Sequence, residues 1–184
     1  MGMTIGHSSP LAAVQGGVDR GVVLHKLMEE VLTGETVEDP AALEARAITL
    51  IHEFGKPPAA DEKANLSAKE LTGCVARALS LPQVAALRSR LLPEFPLYGT
   101  TRKGSDEIAI AGIADAVALS DSHSPEIIID WKSDVNPTEA ALNRYRSQLK
   151  MYLEISGAAK GFIVFLSSGQ IISVAPTSHA SMKS

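Results

Sequence analysis

GIADAVAL, residues 112–119, and EIIIDWKSD, residues 126–134, decide the fold of this chain. Both have the Ile, Val and Ala content of strands, and the polar stretch SDSHSP between them, residues 120–125, reads as a turn. An antiparallel hairpin around a four-residue loop from Asp121 to Ser124 sets Leu119 opposite Glu126, and the same register sets Asp115 opposite Asp130. Two carboxylates directly across a ladder stand roughly 4.5 to 5.5 Å apart at Cβ and repel, so a fold keeps the pair only with something cationic between them. A divalent metal ion meets that need. Residues i and i+2 of a strand share a face, so Lys132 points the same way as Asp130.

Two acids and a lysine on one spot have a definite chemistry. Aspartate oxygens are hard ligands suited to Mg²⁺ or Mn²⁺, and the ammonium can orient or deprotonate a water or stabilise an oxyanion. The set suits metal-assisted hydrolysis of a phosphodiester and, on chemistry alone, of a smaller phosphate ester. The plain alternative is a surface Asp130/Lys132 ion pair with Asp115 unrelated to it. The apolar run Ile127 to Ile129 weighs against that, because a strand buried on both faces does not carry charge without a partner or a task.

A helix is expected after the hairpin, with Asn136 as its cap, Pro137 at its first position, Glu139 at its third and Gly157 at its end. On that helix Ala141, Tyr145, Gln148 and Tyr152 form one stripe bordered by Leu142, Leu149 and Leu153, which puts Gln148 at the edge of a buried face; core packing alone also explains the stripe. Arg144 lies about 40° from Gln148 around the helix, within reach of a bound phosphate or simply in solvent. Upstream, RGVVLHKLMEEVL at residues 20–32 spaces Leu24, Leu27, Met28 and Val31 as one helical face with His25 beside it.

These elements come in a telling order: Gly21/His25 in a first helix, Gly112/Asp115 in a strand, Asp130/Lys132 in the next strand, and Gln148/Tyr152 in the helix that follows. From about Arg20 to Val174 the chain resembles the RecB-like branch of the PD-(D/E)XK nuclease superfamily, as found at the C-terminus of AddA-type and other UvrD-like helicase-nucleases. The resemblance implies an α/β fold: a restriction-endonuclease-like core, with a central mixed sheet flanked by helices, behind an N-terminal helical region. It implies a metal-dependent DNA nuclease, an exonuclease working beside a helicase in recombination and double-strand break repair. It further implies that His25, Asp115, Asp130 and the carbonyl of Trp131 bind Mg²⁺ or Mn²⁺, that Lys132 serves the attacking water, and that Gln148 and Tyr152 support the site or the DNA. Glu94, in PEFPL, holds the place of an acid that often precedes the hairpin. The chain departs from the pattern at Trp131, Ser133 and Ala114, none of which removes a reacting group. A catalytically silent DNA-binding or assembly module is the alternative; an inactive relative has no need of two repelling acids beside a lysine.

Composition bounds the rest. The chain has 184 residues, 45% of them hydrophobic, enough for one core. The expected layout is an extension over residues 1–19, a single nuclease-like domain over 20–174 (helical over 20–92, sheet core over 93–174) and a flexible tail over 175–184. Within the helical part the pattern places a helix near Ala41 to Phe54 and helical residues from about Ser67 to Arg90; GFIVFLSSGQIISV, residues 161–174, reads as two short strands. A formal net charge of −4 is unlike a free-standing DNA binder, whose affinity comes mostly from neutralising phosphates; a helicase delivering the strand removes that need. Arg88, Arg90, Arg102, Lys103, Arg144, Arg146 and Lys150 nonetheless lie near the site elements in sequence. Cys74 is the single cysteine, which excludes an intrachain disulfide and a four-cysteine iron-sulfur cluster, and it is expected to be buried and inert. The first ten residues lack the basic start and apolar centre of a signal peptide, and no stretch is long and apolar enough for a membrane span, so a cytoplasmic location is expected. His7, His52, His123 and His179 have no motif around them and read as surface or loop residues.

Overall fold

The structure, a computed structural model, describes residues 17–61, 66–103 and 106–177. His7, His179 and most of the expected extension and tail lie outside the described residues. Three helices come first: α1 (Val18–Thr33), α2 (Pro40–Glu53) and α3 (Ala68–Ser80), followed by the short α4 (Pro82–Ala85) and a 3₁₀ turn at Arg88–Arg90. Then come β1 (Leu91–Lys103), β2 (Asp106–Leu119), β3 (Pro125–Lys132), α5 (Glu139–Ser156), β4 (Lys160–Phe165) and β5 (Ile171–Val174). The strands form one mixed sheet in the order β1-β2-β3-β4-β5, antiparallel except where β3 runs parallel to β4. The crossover α5 makes that parallel pairing possible. This is the α/β architecture expected of a PD-(D/E)XK core, with helices on both faces of the sheet.

The apolar residues sort onto those two faces. Val23, Leu24, Leu27 and Met28 of α1 pack with α2, α3 and the sheet residues Ala116, Ala118, Ile129 and Trp131. On the other face Leu149, Tyr152 and Leu153 of α5 pack with Val117, Ile128, Ile163 and Phe165. Tyr152 approaches so closely that a Cβ on Gly112 would stand 2.7 Å from its ring. Gly161 is constrained in the same way by Leu149, whose side chain lies 2.7 Å from where its Cβ would be.

Local signals decide the element ends, and two expectations need correction. The stretch from Ser67 to Arg90 is helical as expected, in three pieces, and it breaks where Leu81 adopts φ −60°, ψ 130° before Pro82, as a residue preceding proline tends to. The cap of α5 is Thr138, whose hydroxyl accepts from the N–H of Ala141 at 3.2 Å, and not Asn136; Pro137 precedes the helix, in the stretch that carries Asp134 to Tyr145. The β2–β3 turn closes with Ser120 N–H donating to the Ser124 carbonyl at 2.9 Å, around a three-residue loop with His123 at φ 60°. Leu119 therefore pairs with Pro125 rather than Glu126. The bulge that such a loop carries absorbs the difference, so Ala118–Ile127 and Ala116–Ile129 pair as the four-residue loop would have paired them.

One buried polar network ties the first helix to the sheet. Arg20 is fully buried; its Nη2 meets Glu70 Oε1 at 2.6 Å and its Nη1 donates to the Ser133 carbonyl at 3.3 Å. Glu70 sits at the third position of α3, below the Ser67 cap. A capping-box residue there commonly bonds back to the cap, but here its carboxylate takes the arginine and also accepts from Cys74 Sγ at 3.0 Å. Cys74 is buried as expected, and burial together with the Glu70 carboxylate pushes its thiol pKa up, which keeps it unreactive. Arg20→Ala takes the cation from the half-buried Glu70 and leaves a cavity where a fully buried side chain stood, and is expected to cost about 3 to 5 kcal/mol in urea unfolding, whereas Arg20→Met with Glu70→Leu should recover most of that loss. A loss under about 1 kcal/mol for Arg20→Ala would show that the network does not hold α1 in place.

Candidate active site

Alternation along β1 and β2 slips at one level, and the site is built on that slip. Ala116 and Ala118 face the helical core, yet Ala114, two residues before Ala116, lies in the α5 core. On β1, Leu91 belongs to the helical core and Leu97 to the α5 core. Regular strands keep both members of each pair on one face, so both strands change sides between them. Register survives because they do so together: Pro93 pairs with Ala116 and Phe95 with Ala114, while Glu94 and Asp115 stand between these pairs. Glu94 takes the strain with φ 50°, a left-handed conformation uncommon outside glycine.

On its other edge the β2–β3 ladder ends at Ala116–Ile129. Extending that register brings Asp115 level with Asp130, as the sequence predicted, but the strands have opened by then. The N–H of Trp131 donates to Asp115 Oδ2 at 2.7 Å instead of to a neighbouring carbonyl. Asp115 Oδ1 faces Nδ1 of His25 on α1 at 3.4 Å. Burial works against the His25 imidazolium, but the hydrogen bond and charge of Asp115 outweigh it, so the His25 pKa lies above its ordinary value.

Asp130 is buried, and Lys132 Nζ donates to its Oδ1 at 2.8 Å. Its Oδ2 is buried without a partner. Burial pushes the Asp130 pKa up to about 6; the Asp115 carboxylate adds to the rise and Lys132 opposes it. Lys132 also lies over the Tyr145 ring, 4.6 Å from its centre, and the Tyr145 hydroxyl donates to Asp134 Oδ2 at 2.9 Å. Asp134 was missed in the sequence, although its spacing from Asp130 and Lys132 put it in the same i, i+2 series.

The remaining predicted residues are placed less centrally. Gln148 is exposed rather than edge-buried, and its Nε2 donates to the Tyr152 hydroxyl at 3.3 Å. The Trp131 side chain is buried in the helical core. Glu94 is exposed at the rim; burial of its carboxyl, then the charges of Asp115 and Glu29, raise its pKa. Arg144 and Lys150 are exposed on α5, and Arg146 pairs with Glu139 at 3.1 Å. Arg88 and Arg90 are held elsewhere: Arg88 donates to the Val31 carbonyl at 2.7 Å and Arg90 to the Leu119 carbonyl at 2.9 Å, at the far end of the hairpin. The backbone of Arg102 and Lys103 ends β1, but their side chains lie outside what is described. Gly21 brings α1 against the chain after β3, since a Cβ there would stand 3.1 Å from Ser133 Oγ.

This donor set fits a hard divalent cation. Asp130 keeps a buried oxygen with no partner, in a carboxyl that resists ionising until positive charge arrives. Among the described residues no group of three or more His, Cys, Asp or Glu side chains is placed to hold a metal ion, so the fit rests on the unpartnered Asp130 oxygen and the Asp115 carboxylate near it.

A family profile described as the PD-(D/E)XK nuclease superfamily matches residues 8–162. The chain belongs to that superfamily. No curated protein matches it. The crystal structure of SSO0001 is similar at 21% identity, over 90% of this chain and 81% of that one, with a TM-score of 0.40. Members of that superfamily typically use a divalent metal ion in their phosphodiester chemistry.

The raised Asp130 pKa has a consequence for stability. The folded state holds this proton more tightly than the unfolded chain does, so the stability Asp130 contributes is present below about pH 3.8 and is lost as pH rises to about 6. In EDTA at pH 8, Asp130→Asn should therefore melt no lower than wild type, and any advantage should vanish near pH 4. A variant clearly less stable at pH 8 would mean that the ionised carboxylate is a favourable partner in the empty site.

Proposed function

We propose that the chain is a Mg²⁺- or Mn²⁺-dependent deoxyribonuclease of the RecB-like branch, the exonuclease domain of an AddA-type helicase-nuclease in DNA recombination and double-strand break repair. The observation that carries this reading is the convergence of Asp115, Asp130 and Lys132 at the level where the sheet opens, with an Asp130 oxygen left buried and unpartnered. In the proposal, Asp130, Asp115, His25 and the Trp131 carbonyl hold the metal. Once bound, the ion would polarise a water and offset charge on the phosphate.

The protein groups then divide the work. Lys132, steadied by the Tyr145 ring and by Asp130, orients the attacking water and supports the oxyanion. The N–H of Trp131 fixes Asp115, and His25 holds its other oxygen, so the carboxylate does not turn away. Gln148 and Tyr152 keep α5 in register with β2, and Arg144 on the same exposed side meets a phosphate of the strand. The net charge of −4 and the internal pairing of Arg88 and Arg90 support a domain that receives its strand from a helicase motor rather than capturing it alone. The reading includes a cytoplasmic location and a single functional unit over residues 20–174. Among the described residues, no helix is long and apolar enough to cross a membrane.

End-labelled single- and double-stranded DNA, incubated with the protein and Mn²⁺, tests the proposal. Asp115→Ala, Asp130→Ala and Lys132→Ala are each expected to lower the cleavage rate by at least ~10², and EDTA should abolish it. His25→Ala should lose less. Full activity in Asp130→Ala, or cleavage in EDTA, would contradict the proposal. Arg144→Ala should weaken DNA binding uniformly across sequences and lower its salt dependence by about one phosphate contact; an unchanged slope would return Arg144 to the solvent.

A further inference from the structure

Beside His25, between α1 and the start of β1, lies a cleft of about 470 Å³. Its walls are Val18, Val22, His25, Lys26 and Glu29 of α1 and Glu94 of β1. It therefore shares two residues with the candidate site, and its volume lies within the range of small-ligand pockets. The chemistry of its walls is unlike that of a phosphate site. Val18 and Val22 are 85% and 47% exposed, although each valine in water forgoes the gain of burial. Both basic side chains of the cleft are already engaged: Lys26 donates to both Glu29 oxygens at 3.1 Å and stands 3.9 Å from Glu30, and His25 faces Asp115 at 3.4 Å. Glu29 and Glu94 present carboxylates, which repel phosphate and accept hydrogen bonds from the amino groups of cytosine or adenine.

We infer that this cleft binds an unpaired nucleobase next to the scissile phosphodiester, with Val18 and Val22 against the base face and Glu29 or Glu94 accepting from its exocyclic amino group. The inference rests on the nuclease reading and narrows it to a single-stranded substrate with amino-bearing bases beside the cut. A duplex cannot use the cleft, because its bases are stacked and their Watson–Crick amino groups are paired. The sheet continues the same surface: Ile113, two residues along β2 from Asp115, is 57% exposed, and Tyr98 on β1 is 75% exposed opposite Ala111. An exposed aromatic ring on that track suits the next base, since stacking tolerates any sequence.

The test uses the full chain with fluorescein-labelled short strands of dC, of dT and of abasic sugar-phosphate, binding followed by anisotropy in EDTA at low ionic strength. Wild type should bind the dC strand more tightly than dT, and both more tightly than the abasic strand. Val18→Ser/Val22→Ser, at two exposed positions, should lose about tenfold in affinity for dC and dT and nothing for the abasic strand. In Mn²⁺ its KM for single-stranded DNA should rise by the same factor, with kcat within about twofold. Equal affinity for dC and abasic strands in wild type, or an unchanged affinity in the double variant, overturns the inference. So does a shift in melting temperature without a change in strand affinity, the result expected if residues 1–16 cover the valines instead. Base-dependent binding by a wild type that cleaves nothing would support the cleft and contradict the nuclease reading, so the two failures are distinguishable.

Discussion

The buried carboxyl of Asp130 constrains everything around it. One of its oxygens has Lys132 and the other has no partner, and Asp115 stands close enough to push its pKa further up. Burying an unpaired carboxylate is among the most costly placements available to a polar group. The neighbouring structure both creates that cost and limits it. The β2–β3 ladder opens at this level, which spares the two acids a direct cross-strand contact and frees the Trp131 N–H to hold Asp115. His25 takes up the other Asp115 oxygen. A cation bound between them would relieve the remaining repulsion.

Placement of that site depends on contacts remote from it in sequence. His25 reaches Asp115 only because α1 lies close along the chain after β3, where Gly21 leaves room for Ser133 and Arg20 binds the Ser133 carbonyl. Glu70 and Cys74 of α3 complete that arrangement around the buried guanidinium. On the opposite face Tyr152 lies against Gly112, which holds α5 where Tyr145 can cover Lys132. Two of the glycines in the sequence motifs thus act as points of close approach rather than as flexible joints.

Much of this was legible in the chain because hydrophobic period and hairpin register are local properties. The strands, the helix spans and the level of Asp115 and Asp130 follow from alternation and from one turn. What escaped was set by tertiary contacts. The three-residue loop with His123 in a left-handed conformation is hard to foresee, because histidine is not the usual residue there. Thr138 won over Asn136 as the cap of α5 while Asp134 was being used by Tyr145. The slip at Glu94 and Asp115 breaks the alternation on which strand reading relies, so the sequence alone put Asp115 squarely opposite Asp130. Arg88 and Arg90, near the site in sequence, serve the backbone of other elements. Arg20 looked like the first residue of a helix, and nothing local announced that it would be buried.

The central claim is that Asp115 and Asp130 share one cation, and thermal unfolding in a Mn²⁺ titration tests it without any assumption about substrate. An ion that binds the folded site and not the unfolded chain must raise the melting temperature as its concentration grows. The account predicts a progressive rise for wild type and little or none for Asp130→Asn. A wild type indifferent to Mn²⁺, or an Asn variant stabilised by it to the same extent, would contradict the shared site.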